Sequence, residues 1–407
     1  MLPDRGRTLA RGVQLNQLGK PLPRSGHYDG VLLVSVVLLC IFGVIMVYSS
    51  SAILARAANE SDTVYLRAQV GKLIFGLGLL LVFMRLPYRV LAGRFAVWAF
   101  LGSILLLGLL LLPLGLAVVV RGTRRFLNLG LFVVQPAEFA RISLVVFLSA
   151  WGARVGEERM RGDRRTLVVP LVAIGLVAGL IVLQPNLSSA VLVGMLGFVL
   201  LWSAGQPWQR LAVVLVPLVG VVAVSLRGYQ LRRIVGFLEG LTGGGGSGLS
   251  YHLKQSLIAA GSGGLLGKGI GQGLQKYHYL PFPHTDSILG VVAEETGFLG
   301  VLVLFVVYGI VFLRGLRIAR HAPDRFSGLL ALGLTLSVAV NVFLHSAVVL
   351  GVGPATGVPL PFISHGGSSL LVHLTAMGML LSISRHVRPE TEAVQRTWVP
   401  GALSRVS

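Results

Sequence analysis

The residues best suited to chemistry lie between Tyr229 and Gly297, around Pro283-His284-Thr285-Asp286. Lys268, Lys276 and His278 come before that segment, and Glu294 and Glu295 follow it. A carboxylate held within reach of a hydroxyl can take its proton, and converging cations can hold a phosphate. Asp286 directly precedes an apolar run that begins Ile288-Leu289, so two compatible roles are open to it. It can face a substrate, or it can cap a helix within Thr285-Asp286-Ser287. A polar connection of this length between two hydrophobic runs is usually functional or disordered. This one is not compositionally disordered, because Leu253 to Ile270 and Tyr277 to Phe282 carry apolar and aromatic residues that must pack against something.

The other acids separate by their surroundings. Asp4, Asp29, Glu157, Glu158, Asp163, Asp324, Glu390 and Glu392 stand among arginines and read as solvated surface; Glu60 and Asp62 sit in a short loop. Glu138, Glu239, Glu294 and Glu295 remain beside Asp286 as acids near a membrane-facing or buried region, where ionisable groups carry function by default. Glu294 and Glu295 fall near the end of a short helical pattern, where the helix dipole disfavours anions, so they require cationic or hydrogen-bonding partners. Glu138 and Arg141 stand at i and i+3 and read as a self-paired couple in a polar cleft. Arg124 and Arg125 precede them and can bind phosphate or face water. His278, His284 and His345 show no HxxxH or CxxC spacing, so no structural metal site is expected. A divalent ion bridging Asp286 and a diphosphate stays open.

The elements that must position these groups are membrane helices. Hydrophobic residues make up 54% of the chain and charged residues 12%, the composition of a protein whose main solvent is lipid. The apolar runs are continuous rather than alternating, which implies an all-α polytopic fold. Ten spans are expected, near Val31–Tyr48, Val70–Met84, Val97–Leu116, Glu138–Trp151, Leu167–Leu183, Ser188–Ser203, Leu211–Leu226, Phe298–Leu313, Leu329–Leu350 and Ser368–Ser384. The lone Cys40 lies in the first span and reads as a small buried side chain. A net charge of +20 raises the question of nucleic acid, but the basic residues cluster beside the ends of hydrophobic runs, which is how membrane proteins fix orientation. With the N-terminus inside, cytoplasmic segments carry about twice as many Lys and Arg as external ones. This places tails 1–29 and 387–407 in the cytoplasm, a transmembrane domain over 30–386, and the 227–297 loop outside. That loop would fold over the outer mouth of the bundle and present one carboxylate to a lipid-linked substrate.

Within the loop, Gly243 to Gly248 reads as a flexible hinge and Tyr251 to Ala260 as an amphipathic helix along the membrane surface. The glycine-rich run Ser262 to Gly271 permits close backbone approach to a ligand. Ser287 to Ala293 is helical in pattern and Gly297 suits a helix end. A half-helix ahead of the next full span is therefore expected, with Asp286, Gly290 and Glu294 on one face. The uncharged loop Gly351 to Ser369, with Pro354, Pro359 and Pro361, is expected to wedge into the protein, with Ser364, Ser368 and backbone N–H groups toward a polar cavity.

These segments together resemble the SEDS family of shape, elongation, division and sporulation proteins, from Val31 to about Arg385. The resemblance rests on Gly122-Thr123-Arg124-Arg125-Phe126, Gln135-Pro136-Ala137-Glu138-Phe139-Ala140-Arg141, Gln184-Pro185-Asn186, His284-Thr285-Asp286 with Glu294-Glu295-Thr296-Gly297, and Pro361-Phe362-Ile363-Ser364-His365-Gly366-Gly367-Ser368-Ser369. Tyr48-Ser49-Ser50-Ser51 and Leu274-Gln275-Lys276-Tyr277 look more like the division branch than the elongation branch. The resemblance implies a glycosyltransferase of the bacterial cytoplasmic membrane that polymerises lipid II on its outer face, with a class B penicillin-binding protein and other division or elongation proteins as partners. It implies Asp286 as the base, with inversion and no covalent intermediate. Arg124, Arg125, Lys268 and Lys276 are then the candidates to neutralise the diphosphate, and Glu138, His284, Thr285, Ser364 and Ser368 further substrate contacts. This sequence departs from the family pattern at Phe282-Pro283, Asn186, His345, Val349 and His365. A lipid II transporter and a division scaffold are the competing functions.

Overall fold

The computed structural model describes residues 26–57, 59–112, 117–120, 123–128, 130, 133–212, 251–277, 280, 283–353 and 357–387. The helices are α1 (Gly30–Ala57), α2 (Val64–Arg85), α3 (Arg94–Leu109), α4 (Pro136–Val155), α5 (Glu157–Gly162), α6 (Val168–Leu183), α7 (Leu187–Ser203), α8 (Tyr251–Ser262), α9 (Ile288–Arg320), α10 (Arg325–Val349) and α11 (Gly367–Ser384). The expected spans from Val31 to Ser203 and from Phe298 to Ser384 each fall on one of them. All but the first two residues of Leu211–Leu226, the Gly243 hinge, Glu239, His278 and most of both tails lie outside the described residues.

Local sequence sets the helix ends. Asp29 accepts from the Leu32 amide at 3.0 Å ahead of α1, and Pro136 occupies the first turn of α4, where its missing N–H costs nothing. A reciprocal capping box of Asp324 and Ser327 opens α10. Outward faces are apolar, as lipid requires: Val34, Leu38, Ile41 and Ile45 of α1 are all exposed. Among the described residues, six helical segments are long and apolar enough to cross a membrane: α1, α2, Arg164–Leu183, α9, α10 and α11. The most enclosed is α11, with 83% of its span window buried against 17% for α2. α11 is therefore the central post of the bundle. α2 packs tightly along it, and a side-chain carbon on Gly378 would lie 2.5 Å from the Leu80 carbonyl oxygen.

One departure from an all-helical chain stands between α3 and α4. The third span ends at Leu109 rather than Leu116, and β1 (Ala117–Val120), β2 (Thr123–Asn128) and β3 (Val133–Val134) form a small antiparallel sheet in the order β1-β2-β3. Ala117-Val118-Val119-Val120 is short and mostly β-branched, a composition that suits a strand better than a helix. This sheet carries Arg124 and Arg125.

Candidate active site

The site is assembled where a break in α9 meets two loops. Gly297 has φ 68° and ψ −169°, which interrupts α9 and separates a short leading helix from the full span, as the half-helix pattern predicts. Glu294 and Glu295 sit just before the break and are completely enclosed. The chain from Gly263 to Lys276 wraps around them. Glu294 Oε1 accepts from Lys268 Nζ at 2.7 Å and from the Leu274 amide at 2.9 Å, while its second oxygen takes the Gln275 amide at 3.1 Å. Glu295 accepts from Lys276 Nζ at 2.7 Å, Ser49 Oγ at 2.7 Å and the Gly271 amide at 3.0 Å. Lys276 is itself buried and also donates to Ser49 Oγ and to the Gly271 carbonyl.

The clamp gives Lys268 and Lys276 a structural role of their own: both ammonium groups neutralise enclosed carboxylates. The physical reason is that a buried carboxylate without a cation costs several kcal/mol, roughly 3–5 when one partner is removed. The glycines have an equally internal role. A side chain on Gly267 would strike the Glu295 carbonyl at 2.3 Å, so the close approach they permit is to the helix break rather than to a ligand.

Asp286 stands outside the clamp, half-buried, at the head of α9. Ser287 occupies the cap position of that helix, without a side-chain cap bond, and the helix proper begins at Ile288. Asp286 is therefore not the capping residue, and it precedes the helical face it was expected to share with Gly290 and Glu294. The loop ahead of α11 lies alongside it. A side-chain carbon on Gly357 would approach Asp286 Oδ2 to 3.9 Å. Two hydrogen bonds staple the loops together: His365 N to the His284 carbonyl at 2.8 Å, and Ser364 Oγ to the Thr285 carbonyl at 2.9 Å. Ser364 Oγ also receives the Leu360 amide, and Ser368 Oγ receives the Gln135 amide at 2.6 Å. The two serines thus order the loops around Asp286 by binding backbone. As expected, the uncharged loop is wedged inward, with Val358, Leu360, Phe362 and Ile363 all buried.

His284 and His365 pack edge to face with ring centroids 5.7 Å apart, and Tyr65 of α2 lies against both. Burial holds His284 down to about 4. Burial, the Lys72 ammonium and His284 together hold His365 down to about 3. Both rings are neutral at physiological pH. Lys72 and Tyr65 are members of this site that the sequence did not mark. Lys72 lies inside the apolar run of the second span, and an unpaired lysine there is the one available signal.

Glu138 and Arg141 form a separate buried network, bonded at 2.6 Å. Arg141 also donates to Asn341 Oδ1 at 3.1 Å and lies 3.4 Å from His373 Nε2. His373 Nδ1 lies 2.7 Å from the Ser369 carbonyl, which places the ring proton there and leaves Nε2 to accept from Arg141 and Asn341. Through Arg141, Glu138 joins a network that links α4 to α10 and α11. Arg125 donates to the carbonyls of Gln184 and Pro185, fixing the turn before α7, whereas Arg124 on the other face of β2 is exposed. Asn186 caps α7 by accepting from Ser189 N, and His345 Nδ1 donates to the Val358 carbonyl at 2.9 Å. Both departures from the family pattern thus have structural employment. Among the described residues no three His, Cys, Asp or Glu side chains converge on a point.

With this geometry in hand, comparison with known proteins is specific. Residues 30–389 match the family model FTSW_RODA_SPOVE, described as cell cycle protein. The chain is 38% identical to the probable peptidoglycan glycosyltransferase FtsW of Trichlorobacter lovleyi, over 91% of this chain and 96% of that protein. It is 34% identical to stage V sporulation protein E of Bacillus subtilis, over 88% and 98%. Among solved structures it resembles a chain from a peptidoglycan synthase complex that coordinates polymerization and crosslinking (TM-score 0.69, 29% identity, 88% and 98% covered). It also resembles the rod shape determining protein RodA of Thermus thermophilus (TM-score 0.66, 27% identity, 90% and 100% covered).

Proposed function

Because this chain belongs to the cell cycle protein family of FtsW, RodA and SpoVE, we propose that it is a multi-pass membrane peptidoglycan glycosyltransferase of the division branch, polymerising lipid II at the outer face of the bacterial cytoplasmic membrane. Asp286 is the general base. The acceptor sugar hydroxyl is a poor nucleophile, and a carboxylate within hydrogen-bond reach removes its proton as the new bond forms. Attack from the face opposite the diphosphate inverts the donor's anomeric carbon. Arg124 is the exposed cation of the neighbouring sheet available to approaching phosphate. A divalent ion bridging Asp286 and the diphosphate would take most of its ligands from the diphosphate, no cluster of three metal-ligating side chains standing among the described residues.

The observation that carries the assignment is the contrast among the loop acids. Glu294 and Glu295 are enclosed and held by lysines, whereas Asp286 reaches the surface of the cleft. A class B penicillin-binding protein is the expected partner, supported by the likeness to a chain from a complex that couples polymerization to crosslinking. Purified protein, alone and with that transpeptidase, supplied with fluorescent lipid II provides the test. Glycan chains that vanish with Asp286→Asn support the reading. Lipid II translocation without polymer identifies a transporter, and neither product identifies a scaffold.

A further inference from the structure

Lys72 is half-buried in α2, eight residues into the helix and so roughly 12 Å along its axis. An ammonium has three donors. Among the described residues its hydrogen-bond contact is a long one, 3.5 Å to His365 Nε2, and no carboxylate pairs with it. An ionisable side chain at such depth ordinarily finds a counter-charge. Lys72 instead lies beside the first residue of α11, its Nζ 3.1 Å from where a side-chain carbon of Gly367 would stand. A helix start is itself a positive pole. Two positive potentials therefore meet in the same space, in a cleft whose other walls are His284, His365 and Tyr65, and whose nearest acid in sequence, Asp286, follows His284 by two residues. The ring nitrogens Nδ1 of His284 and His365 are also buried without a hydrogen-bond partner among the described residues. Among the described residues, the other enclosed or half-enclosed cations near the loop, Lys268, Lys276, Arg125 and Arg141, each have an anion or carbonyls to hold.

We propose that Lys72, positioned by His365, binds the diphosphate of the lipid-linked substrate beside Asp286. This rests on the glycosyltransferase reading above and adds the cation that Lys268 and Lys276, being committed to the clamp, do not supply. As the acceptor oxygen bonds to the donor's anomeric carbon, the bond from that carbon to the diphosphate oxygen breaks. The hydroxyl proton passes to Asp286, and the electron pair leaves with the diphosphate, whose growing charge the Lys72 ammonium neutralises. The released product is a polyprenyl diphosphate, which the same lysine holds until it departs.

Equilibrium binding to the full-length protein in nanodiscs tests this, with undecaprenyl diphosphate as probe and undecaprenol, phosphatidylglycerol and inorganic diphosphate as comparators. Lys72→Met is expected to weaken undecaprenyl diphosphate binding about tenfold or more, with Lys72→Arg retaining most of it and undecaprenol unaffected. Unchanged affinity in Lys72→Met overturns the proposal. So does an equal loss for phosphatidylglycerol, which would mark a general lipid-headgroup site, or full retention of affinity for inorganic diphosphate by the variant. Should Lys72→Met not fold, judged by its thermal midpoint, His365→Phe keeps the ring packing and removes the contact to Lys72; it should weaken the same binding about threefold, and no change overturns the proposal. If the wild type makes no glycan yet binds undecaprenyl diphosphate through Lys72, the glycosyltransferase reading fails and the subsite stands.

Discussion

Two clusters of charge lie within one loop's reach of each other and are built on opposite principles. In the clamp, Glu294 and Glu295 each receive a lysine and backbone or serine donors, and both carboxylates are fully enclosed. In the cleft, the hydrogen-bond contact of Lys72 among the described residues is a neutral histidine at 3.5 Å, and Asp286 is half-open. Buried charge that is fully satisfied rigidifies a structure, and a lysine at membrane depth without a counter-charge, as Lys72 is among the described residues, marks where a ligand works. The clamp pins the Gly263–Lys276 segment across the helix break, and that fixes the leading helix of α9, which begins two residues after Asp286. Architecture and chemistry thus use the same residue types, and the partners distinguish them.

Substitutions can break that comparison, and the largest effect is expected at the cleft. Asp286→Asn keeps shape and removes basicity, so glycan synthesis from lipid II should fall about 10²- to 10⁴-fold, with the thermal midpoint unchanged. A normal rate of strand growth in that variant would end the assignment. At the clamp the order reverses. Lys276→Met leaves Glu295 enclosed without its cation, which should cost about 3–5 kcal/mol of stability. Adding Glu295→Gln should restore part of the loss in unfolding measurements in detergent, a coupling that two independent sites would not show.

The sequence was legible where one residue type had one physical option. Apolar runs located the helices because lipid permits little else, and Gly297 announced the break because its φ of 68° suits glycine. Asp286 stood out because few acids lie beyond the arginine-rich segments. The partners were not legible. Lys268 and Lys276 have the chemistry to hold either a diphosphate or a glutamate, and only the fold brings Glu294 and Glu295 under them. Ser364 and Ser368 could face a cavity or bind backbone, and sequence does not carry that choice. Lys72 was hidden for a different reason: a single lysine in a long apolar run does not interrupt its hydropathy. Its neighbour His365 lies 293 residues away in the chain. The strands at 117–134 escaped because they are short and adjoin a run that already reads as helix.

The histidines of the cleft give a smaller, pH-dependent handle. Each is held neutral in the native state, His284 down to about 4 and His365 to about 3, whereas in an unfolded chain both take a proton below about 6.5. The unfolded state therefore binds more protons in that window, and stability rises with pH through it. As pH falls from 6.5 toward 4 the native state should lose stability, seen as a thermal midpoint that drops by several degrees between pH 7 and 5. Replacing both rings by Gln should flatten that slope. A slope that survives both substitutions would place the titrating groups elsewhere and end this reading of the two rings.

The smallest effect sharpens the comparison most, because it lies inside the clamp. Lys268 and Lys276 make ion pairs of the same 2.7 Å length to neighbouring glutamates, yet the Lys268 side chain is 32% exposed and that of Lys276 only 2%. Coulomb attraction at equal distance would make the two pairs equal. Desolvation does not, because water entering after Lys268→Met can solvate Glu294, which also keeps the Leu274 and Gln275 amides. The expected loss is about 1 kcal/mol, near the range of solvent-reached pairs, against several for Lys276→Met. Equal losses in the two variants would show that pairing distance rather than enclosure sets the cost, and the division of the loop into a sealed clamp and an open cleft would lose its physical basis.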